Sequence, residues 1–434
     1  MNEVMVGIVG LVVVLAFFLT GIELAFAMAL VGFWGFSYLV SVEAGLDLLA
    51  KDLFNVFSSY GFTVVPLFIL MGQTAYHAGI ARRLYNTAYK FIGHIPGGLA
   101  MATVGGATAF GAITGSSSAT AATFASIAIP EMNQYKYDSK LSAGICAVGG
   151  TLGSLIPPSV VLIVYGMITE QSIGKLFTAS IIPGLMIASL FIMIIYTMCK
   201  IDPKLGPAGQ VSSWKERLRS LSGVCWVLLV FIIMIGGMIM GAFTPTEAGS
   251  VGCALVLLLS MAQRDITFKA FAQSIIESMT LACMTLMLIA GSTIFGHFLM
   301  VTKIPMYVTD WLVQLPLGPS VIMFLILILY LVGGSFIDDL AFMVLATPIL
   351  YPAVLKLGYD PIWFGIILHI FVMIGIVIPP MALNVFVVKN LTGLPFGLIY
   401  RGVYPFLIGL IGVAILLFLF PQFALWLPSV FAAR

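Results

Sequence analysis

GTLGSLIPPS (residues 150–159) sits within apolar sequence long enough to cross a membrane, yet it carries consecutive prolines at Pro157 and Pro158. A proline removes a backbone donor and clashes with the preceding turn, at a cost of about 3 kcal/mol inside a helix. The same interruption recurs in IGIVIPPMAL (374–383), at Pro379 and Pro380. In hydrocarbon every backbone polar group needs a partner, so a broken span persists only where its freed amides and carbonyls face protein, water or a ligand. The alternative for a single pair is a plain kink in a lipid-facing helix. Two pairs at matched positions argue against it.

The matching extends beyond the prolines. Pro157 stands 26 residues before Pro183, and Pro379 stands 26 before Pro405. Asp138 and Asp360 each precede the first proline of their pair by 19, and Gly115 and Gly333 precede Pro130 and Pro348 by 15. Glu23 in LTGIELA and Glu247 in FTPTEAG form a looser fourth match, each at an expected helix start where capping is the simplest role. The chain therefore reads as two structural repeats, 1–210 and 223–434, joined at 211–222.

Composition agrees. Of 434 residues, 61% are hydrophobic and only 8% charged, against about a quarter charged in a soluble chain. Repeated apolar runs near span length give an all-α polytopic membrane protein. A net charge of +2 gives no footing for nucleic acid. The opening MNEVMVGIVGLVVVLAFFLTG carries Glu3 and no basic residue before its apolar run, so it reads as the first span and not as a cleaved leader. The five cysteines are scattered without a CxxC, as small buried apolar residues, and His77, His94, His297 and His369 show no metal-ligand spacing.

Basic residues set the orientation. With the N-terminus outside, spans fall within 4–78, a re-entrant hairpin at 98–132, a broken helix at 140–171 and a span at 176–199. The second half then runs the other way up: spans within 223–300, a hairpin at 319–351, a broken helix at 361–392 and a span at 403–421. This places 14 of the 19 Lys and Arg inside, leaving Lys51, Lys175, Lys303, Lys356 and Arg434 outside. The repeats are thus expected to be inverted. Leu46, Leu49, Leu53 and Val56 share one helical face, as do Val211, Trp214, Leu218 and Leu221; each stretch is either an interfacial helix or an extension of a neighbouring span.

In inverted-repeat transporters, discontinuous helices and hairpin tips converge to bind cargo and coupling ions, with half-helix N-termini facing anions and unwound carbonyls facing sodium. The first tip, GAITGSSSATAAT (111–123), offers Gly115 for the turn and hydroxyls at Ser116, Ser117, Ser118 and Thr120, suited to a cation or a carboxylate; small residues where helices pack closely are the alternative. The second tip, GGSFIDDLAF (333–342), puts Asp338 and Asp339 in apolar surroundings, where a carboxylate is costly and either holds a cation or caps the returning helix. Asn384 could satisfy freed backbone groups or touch the ligand.

TGSSSAT, GTLGSLIPPS, FTPTEAG, the GxxxDD-plus-TPI pattern of 334–349 and PPMALN resemble the large membrane subunit of tripartite ATP-independent periplasmic (TRAP) transporters, over essentially the whole chain. The resemblance implies a sodium-driven importer of a small organic acid in a bacterial inner membrane. It also implies a scaffold and an elevator-type transport domain, a periplasmic substrate-binding protein, and a small four-helix membrane subunit expected on a separate polypeptide. Carried over, sodium ligands fall at Gly115, Ser116, Ser117 and Ser118 with Gly153 and Pro157, and at Gly333, Gly334 and Asp338 with Pro379. Substrate contacts are expected from Ser117, Ser118, Thr120, Ser159, Ser335 and Asn384. No organic cofactor is implied. One departure stands out: Ile378 occupies the place of a common hydroxyl before the second proline pair, and Met373 that of a common acidic residue, which puts the second sodium site in doubt.

Two other classes compete. A channel predicts polar rings along a pore, in place of two tips and two breaks. An intramembrane hydrolase would use the serine cluster, but no His or Lys lies near it in sequence. No P-loop occurs.

Overall fold

The computed structural model describes residues 2–432; Met1, Ala433 and Arg434, the last with its assignment to the outer face, lie outside the described residues. Every regular element among the described residues is helical. Seven helices are long and apolar enough to cross a membrane, or up to nine when each bent pair counts as one span. This is a multi-pass membrane protein.

The chain opens with α1 (Glu3–Leu19), α2 (Leu24–Leu39) and α3 (Val42–Ser58). Ser41 starts α3 by accepting the Ala44 N–H at 3.1 Å. A short 3₁₀ turn, Tyr60–Thr63, leads into α4 (Val64–His77), and the axis bends by 50° there. The sequence reading counted spans within 4–78 without this bend. Pro66 explains the difference: lacking an N–H, it is tolerated in the first turn of a helix, so the helix restarts just before it. α5 (Ile80–Ile92) follows, then α6 (Gly98–Thr114) and α7 (Ser117–Gln134) as the first hairpin, and α8 (Ser139–Leu155) and α9 (Val160–Ile168) as the first broken helix, bent by 42°. α10 (Ile173–Ile201) closes the half.

α11 (Trp214–Ile239) begins with a capping box between Ser213 and Glu216 and runs without interruption. The stretch 211–222 thus falls mostly within α11 itself, with Trp214 and Leu218 exposed on its surface. α12 (Pro245–Ala262) starts with a second capping box, Thr244 with Glu247, and Pro245 at the position where its missing N–H costs nothing. Glu247 thus caps as expected, whereas Glu23 occupies the cap position of α2 without a side-chain bond. α13 (Phe268–Val301) and α14 (Ile304–Gln314) precede the second hairpin, α15 (Pro319–Phe336) and α16 (Asp339–Lys356). α17 (Pro361–Gly375) and α18 (Leu383–Thr392) flank the second break, followed by α19 (Phe396–Leu419) and α20 (Gln422–Ala432). α5, α14 and α20 are too short to leave a span-length apolar run, and the sequence reading did not include them.

The two halves interlock. α2 packs along α13 and α12 along α4; α8 packs along α19, α7 meets α18 and α9 meets α16. Where α8 crosses α19, Gly144 and Gly402 approach so closely that a Cβ on either would strike backbone of the other helix. Lipid tails are as apolar as leucine, so such close contact, and not exclusion from water, holds membrane helices together. Every residue of α8 from Leu141 to Leu155 is buried, as is every residue of α17 from Ile362 to Gly375. Both helices that end at a proline pair are therefore enclosed by protein.

Candidate functional site

The first tip turns at Gly115, whose φ of +63° suits a residue without a Cβ. Ser116 caps α7, its hydroxyl accepting the Ala119 N–H at 3.4 Å. The N–H groups of Ser117 and Ser118, in the first turn of α7, have no acceptor among the described residues. They are the orphan donors every helix start exposes, and the helix dipole makes the place favourable to an anion. The tip is tied to the break of its own half: Val160 N–H reaches the Gly115 carbonyl at 3.4 Å.

At that break, the carbonyls of Gly153 and Ser154 would bond to the residues four positions on. Those residues are Pro157 and Pro158, which have no N–H. No other donor among the described residues reaches either carbonyl. Ser154 Oγ donates to the Thr151 carbonyl at 3.2 Å, and His369 Nε2 lies 3.2 Å from Ser154 Oγ.

The second tip is tied to its break in the same manner: the N–H groups of Met381 and Ala382 meet the Ser335 carbonyl at 3.2 and 3.4 Å. Its carbonyls fare differently. Ile378 N–H reaches the Gly375 carbonyl at 3.1 Å and Asn384 N–H the Ile376 carbonyl at 3.2 Å, so the groups freed by Pro379 and Pro380 are taken up within the break. Pro379 and Pro380 sit at the exposed surface, whereas Pro157 and Pro158 are buried.

The two tips meet at one cavity of about 500 Å³, within the range usual for small-molecule sites. Gly115, Ser116, Ser117, Ser118 and Asp338 line it, as does Asp339. Asp338 stands at the start of α16 without a capping bond, and Asp339 Oδ1 accepts the Leu340 N–H at 2.9 Å. The far wall comes from α4 and α13 through Gln73, Tyr76, Glu277 and Thr285. Glu277 is fixed by His77 Nε2 at 2.8 Å and by Gln273 Nε2, which donates at 2.9 Å.

The other residues expected to touch cargo do not line the cavity. Thr120 Oγ donates to the Ser116 carbonyl at 2.8 Å, Ser159 caps α9 by accepting the Leu162 N–H at 3.2 Å, and Ser335 Oγ donates to the Val332 carbonyl at 2.7 Å. Asn384 is fully buried and donates to Ser117 Oγ at 2.8 Å and to the Ala147 carbonyl at 3.0 Å. Gly153, Pro157, Gly333, Gly334 and Pro379 shape the tips and breaks without lining the cavity; a Cβ on Gly334 would press on Val372 at 3.0 Å. The α4 and α13 wall was missed in the sequence, although Glu277 was findable as the one acidic residue in the apolar helix FAQSIIESMTLAC. Among the described residues no group of three or more His, Cys, Asp or Glu side chains could hold a metal ion, so any cation here would rest on hydroxyl, carbonyl and single carboxylate oxygens.

Two solved transporters share the fold. The Alcanivorax borkumensis YdaH transporter superposes with a TM-score of 0.60 at 15% identity, covering 89% of this chain and 90% of that one. Neisseria gonorrhoeae MtrF gives 0.54 at 16%, covering 88% and 84%. In sequence, the chain is 37% identical to the C4-dicarboxylate TRAP transporter large permease protein DctM of Pseudomonas aeruginosa, over 88% of this chain and 89% of that protein. It is 33% identical to the sialic acid TRAP transporter large permease protein SiaM of Vibrio cholerae, over 90% and 91%. It is 29% identical to the 2,3-diketo-L-gulonate TRAP transporter large permease protein YiaN of Escherichia coli, over 93% and 94%. All three relatives are named as permease subunits and none as an enzyme. Residues 11–423 match the model of the family described as the DctM component of tripartite ATP-independent periplasmic transporters, and to that family of large membrane subunits the chain belongs.

Proposed function

We propose that this subunit imports a small organic acid across a bacterial inner membrane, coupled to sodium, with the acid handed over by a periplasmic binding protein. The observation that carries the reading is the shared cavity: two hairpin tips, one from each half, close on one space against α4 and α13. The relatives named above for C4-dicarboxylate, sialic acid and 2,3-diketo-L-gulonate support an acidic cargo. A small membrane subunit completes the permease; a relative named as the isethionate permease DctMQ, of which this chain spans 58%, is consistent with that pairing.

In this mechanism the cargo carboxylate sits at the start of α7, where the Ser117 and Ser118 N–H groups and hydroxyls donate to it. Sodium is held at the first tip and break by the Gly153 and Ser154 carbonyls and the serine oxygens, and at the second tip by Asp338. The second break has fewer free carbonyls to offer. The hairpins, broken helices, α10 and α19 move as one unit past a scaffold of α1 to α4 and α11 to α13. The halves are inverted repeats with the N-terminus periplasmic, so each tip approaches the cavity from its own side of the membrane.

Uptake by proteoliposomes holding the assembled permease, with binding protein outside, tests this. An inward sodium gradient should drive accumulation of an organic acid. Accumulation at the same rate without sodium removes the coupling, and gradient-independent ion currents point to a channel.

A further inference from the structure

Three carboxylates line the cavity: Glu277 on the α13 wall, and Asp338 and Asp339 at the second tip. Two of them have a defined position and spare acceptor capacity. Glu277 is pinned by one bond to each oxygen, from His77 and Gln273, which leaves the outer lone pairs of both oxygens unused. Asp339 is 7% exposed; Oδ1 takes the Leu340 N–H while Oδ2 has no partner. A buried acceptor without a donor carries a desolvation cost that a ligand donor relieves, so it favours a ligand that brings one. The cavity thus presents donors on one side, at the start of α7, and carboxyl oxygens with unused acceptor capacity on two others.

We propose that the cargo carries, beside its carboxylate, a hydrogen-bond donor group, a hydroxyl or an ammonium, recognised by Glu277 on the scaffold wall and Asp339 on the tip. This rests on the carboxylate-cargo reading above. A plain dicarboxylate is acceptor-only at both ends: one end suits α7, and the other meets the free oxygens of Glu277 and Asp339 with nothing to donate. A sodium ion at Asp338 neutralises one of the three carboxylates and leaves the pattern of unused acceptors in place. Glu277 is therefore a specificity-determining residue for the half of the cargo that α7 does not hold.

Thermal unfolding of the purified full-length chain in sodium-containing detergent solution tests this, because a ligand that binds only the folded protein raises the melting temperature with concentration. The probes are D-gluconate for hydroxyl, β-alanine for ammonium and succinate for the acceptor-only case. D-gluconate or β-alanine should stabilise, the better of the two naming the donor, and succinate should not. Glu277→Gln keeps the size of the side chain, and Asp339→Asn that of its own. Each should raise the half-saturating concentration of the better probe by about tenfold, the scale of one hydrogen bond to a charged group. The shift caused by sodium alone should stay unchanged in Glu277→Gln. Succinate stabilising as well as the best donor-bearing acid overturns the inference and keeps the carboxylate reading. So does a donor-bearing acid whose binding is indifferent to both substitutions. No shift with any of the three acids contradicts the carboxylate reading itself.

Discussion

Asn384, in the second broken helix, donates to the hydroxyl of Ser117 at the first hairpin tip across 2.8 Å, joining residues 267 positions apart in sequence. The same amide donates to the Ala147 carbonyl of α8 at 3.0 Å. One buried side chain therefore orients a cavity-lining hydroxyl of the first half from the second, and steadies α8 just before its break.

Asn384→Asp keeps the shape and removes the donor. Losing a buried amide bond costs about 1–3 kcal/mol when it strands a partner. The variant should unfold at lower temperature and need more sodium for half-maximal uptake, measured by thermal unfolding and by sodium titration of transport. Unchanged values in both would separate Asn384 from the site.

Ser117→Ala and Asp338→Asn remove a tip hydroxyl and a tip charge that both line the cavity. Each should impair sodium-dependent uptake at normal membrane insertion, read by immunoblot of membranes beside the transport assay. Full uptake with unaltered sodium dependence in both variants would displace the site from the tips.

Gly115→Ala tests the turn. Its left-handed backbone disfavours a side chain by about 1–2 kcal/mol, and the added Cβ would face the Pro158 carbonyl at 2.5 Å. The expected result is a lower melting temperature together with lost uptake, because the tip and the first break are pushed apart. Gly358 offers a control, since a Cβ there meets nothing within 4 Å while its φ is also positive, +81°; Gly358→Ala should weaken folding modestly and spare transport.

The inverted topology predicts that the open ends of the two hairpins face opposite sides of the membrane. In a cysteine-free background, Gln134→Cys should react with an impermeant thiol reagent only from the cytoplasmic side and Leu317→Cys only from the periplasmic side. Both positions are exposed. Reaction of both from one side would refute the inversion.

Much of this was legible because glycine and proline punctuate a membrane chain strongly. The hairpin read at 98–132 is Gly98–Thr114 with Ser117–Gln134, and the break read within 140–171 falls between Leu155 and Val160. Lipid leaves few alternatives for a residue such as Pro157. The bend at Ser59 coincides with Ser58, Ser59 and Gly61 ahead of Pro66, a turn signal that the sequence reading passed over. A hydroxyl does not declare its use: of the hydroxyls expected at the site, Thr120 and Ser335 bond back to their own helices, while Ser116, Ser117 and Ser118 line the cavity. The α4 and α13 wall depends on which spans pack together, a property of the assembled fold that spacing along the chain does not carry.

The central claim is that the tips move past α13 with the cargo between them. Cysteines at Ala119 on α7 and Leu281 on α13, both lining the cavity, can be joined by a bifunctional thiol reagent in an otherwise cysteine-free protein. If the tips travel, the cross-linked permease should lose nearly all uptake, and cleaving the linker should restore it. Transport at the full rate with the bridge intact would contradict the account.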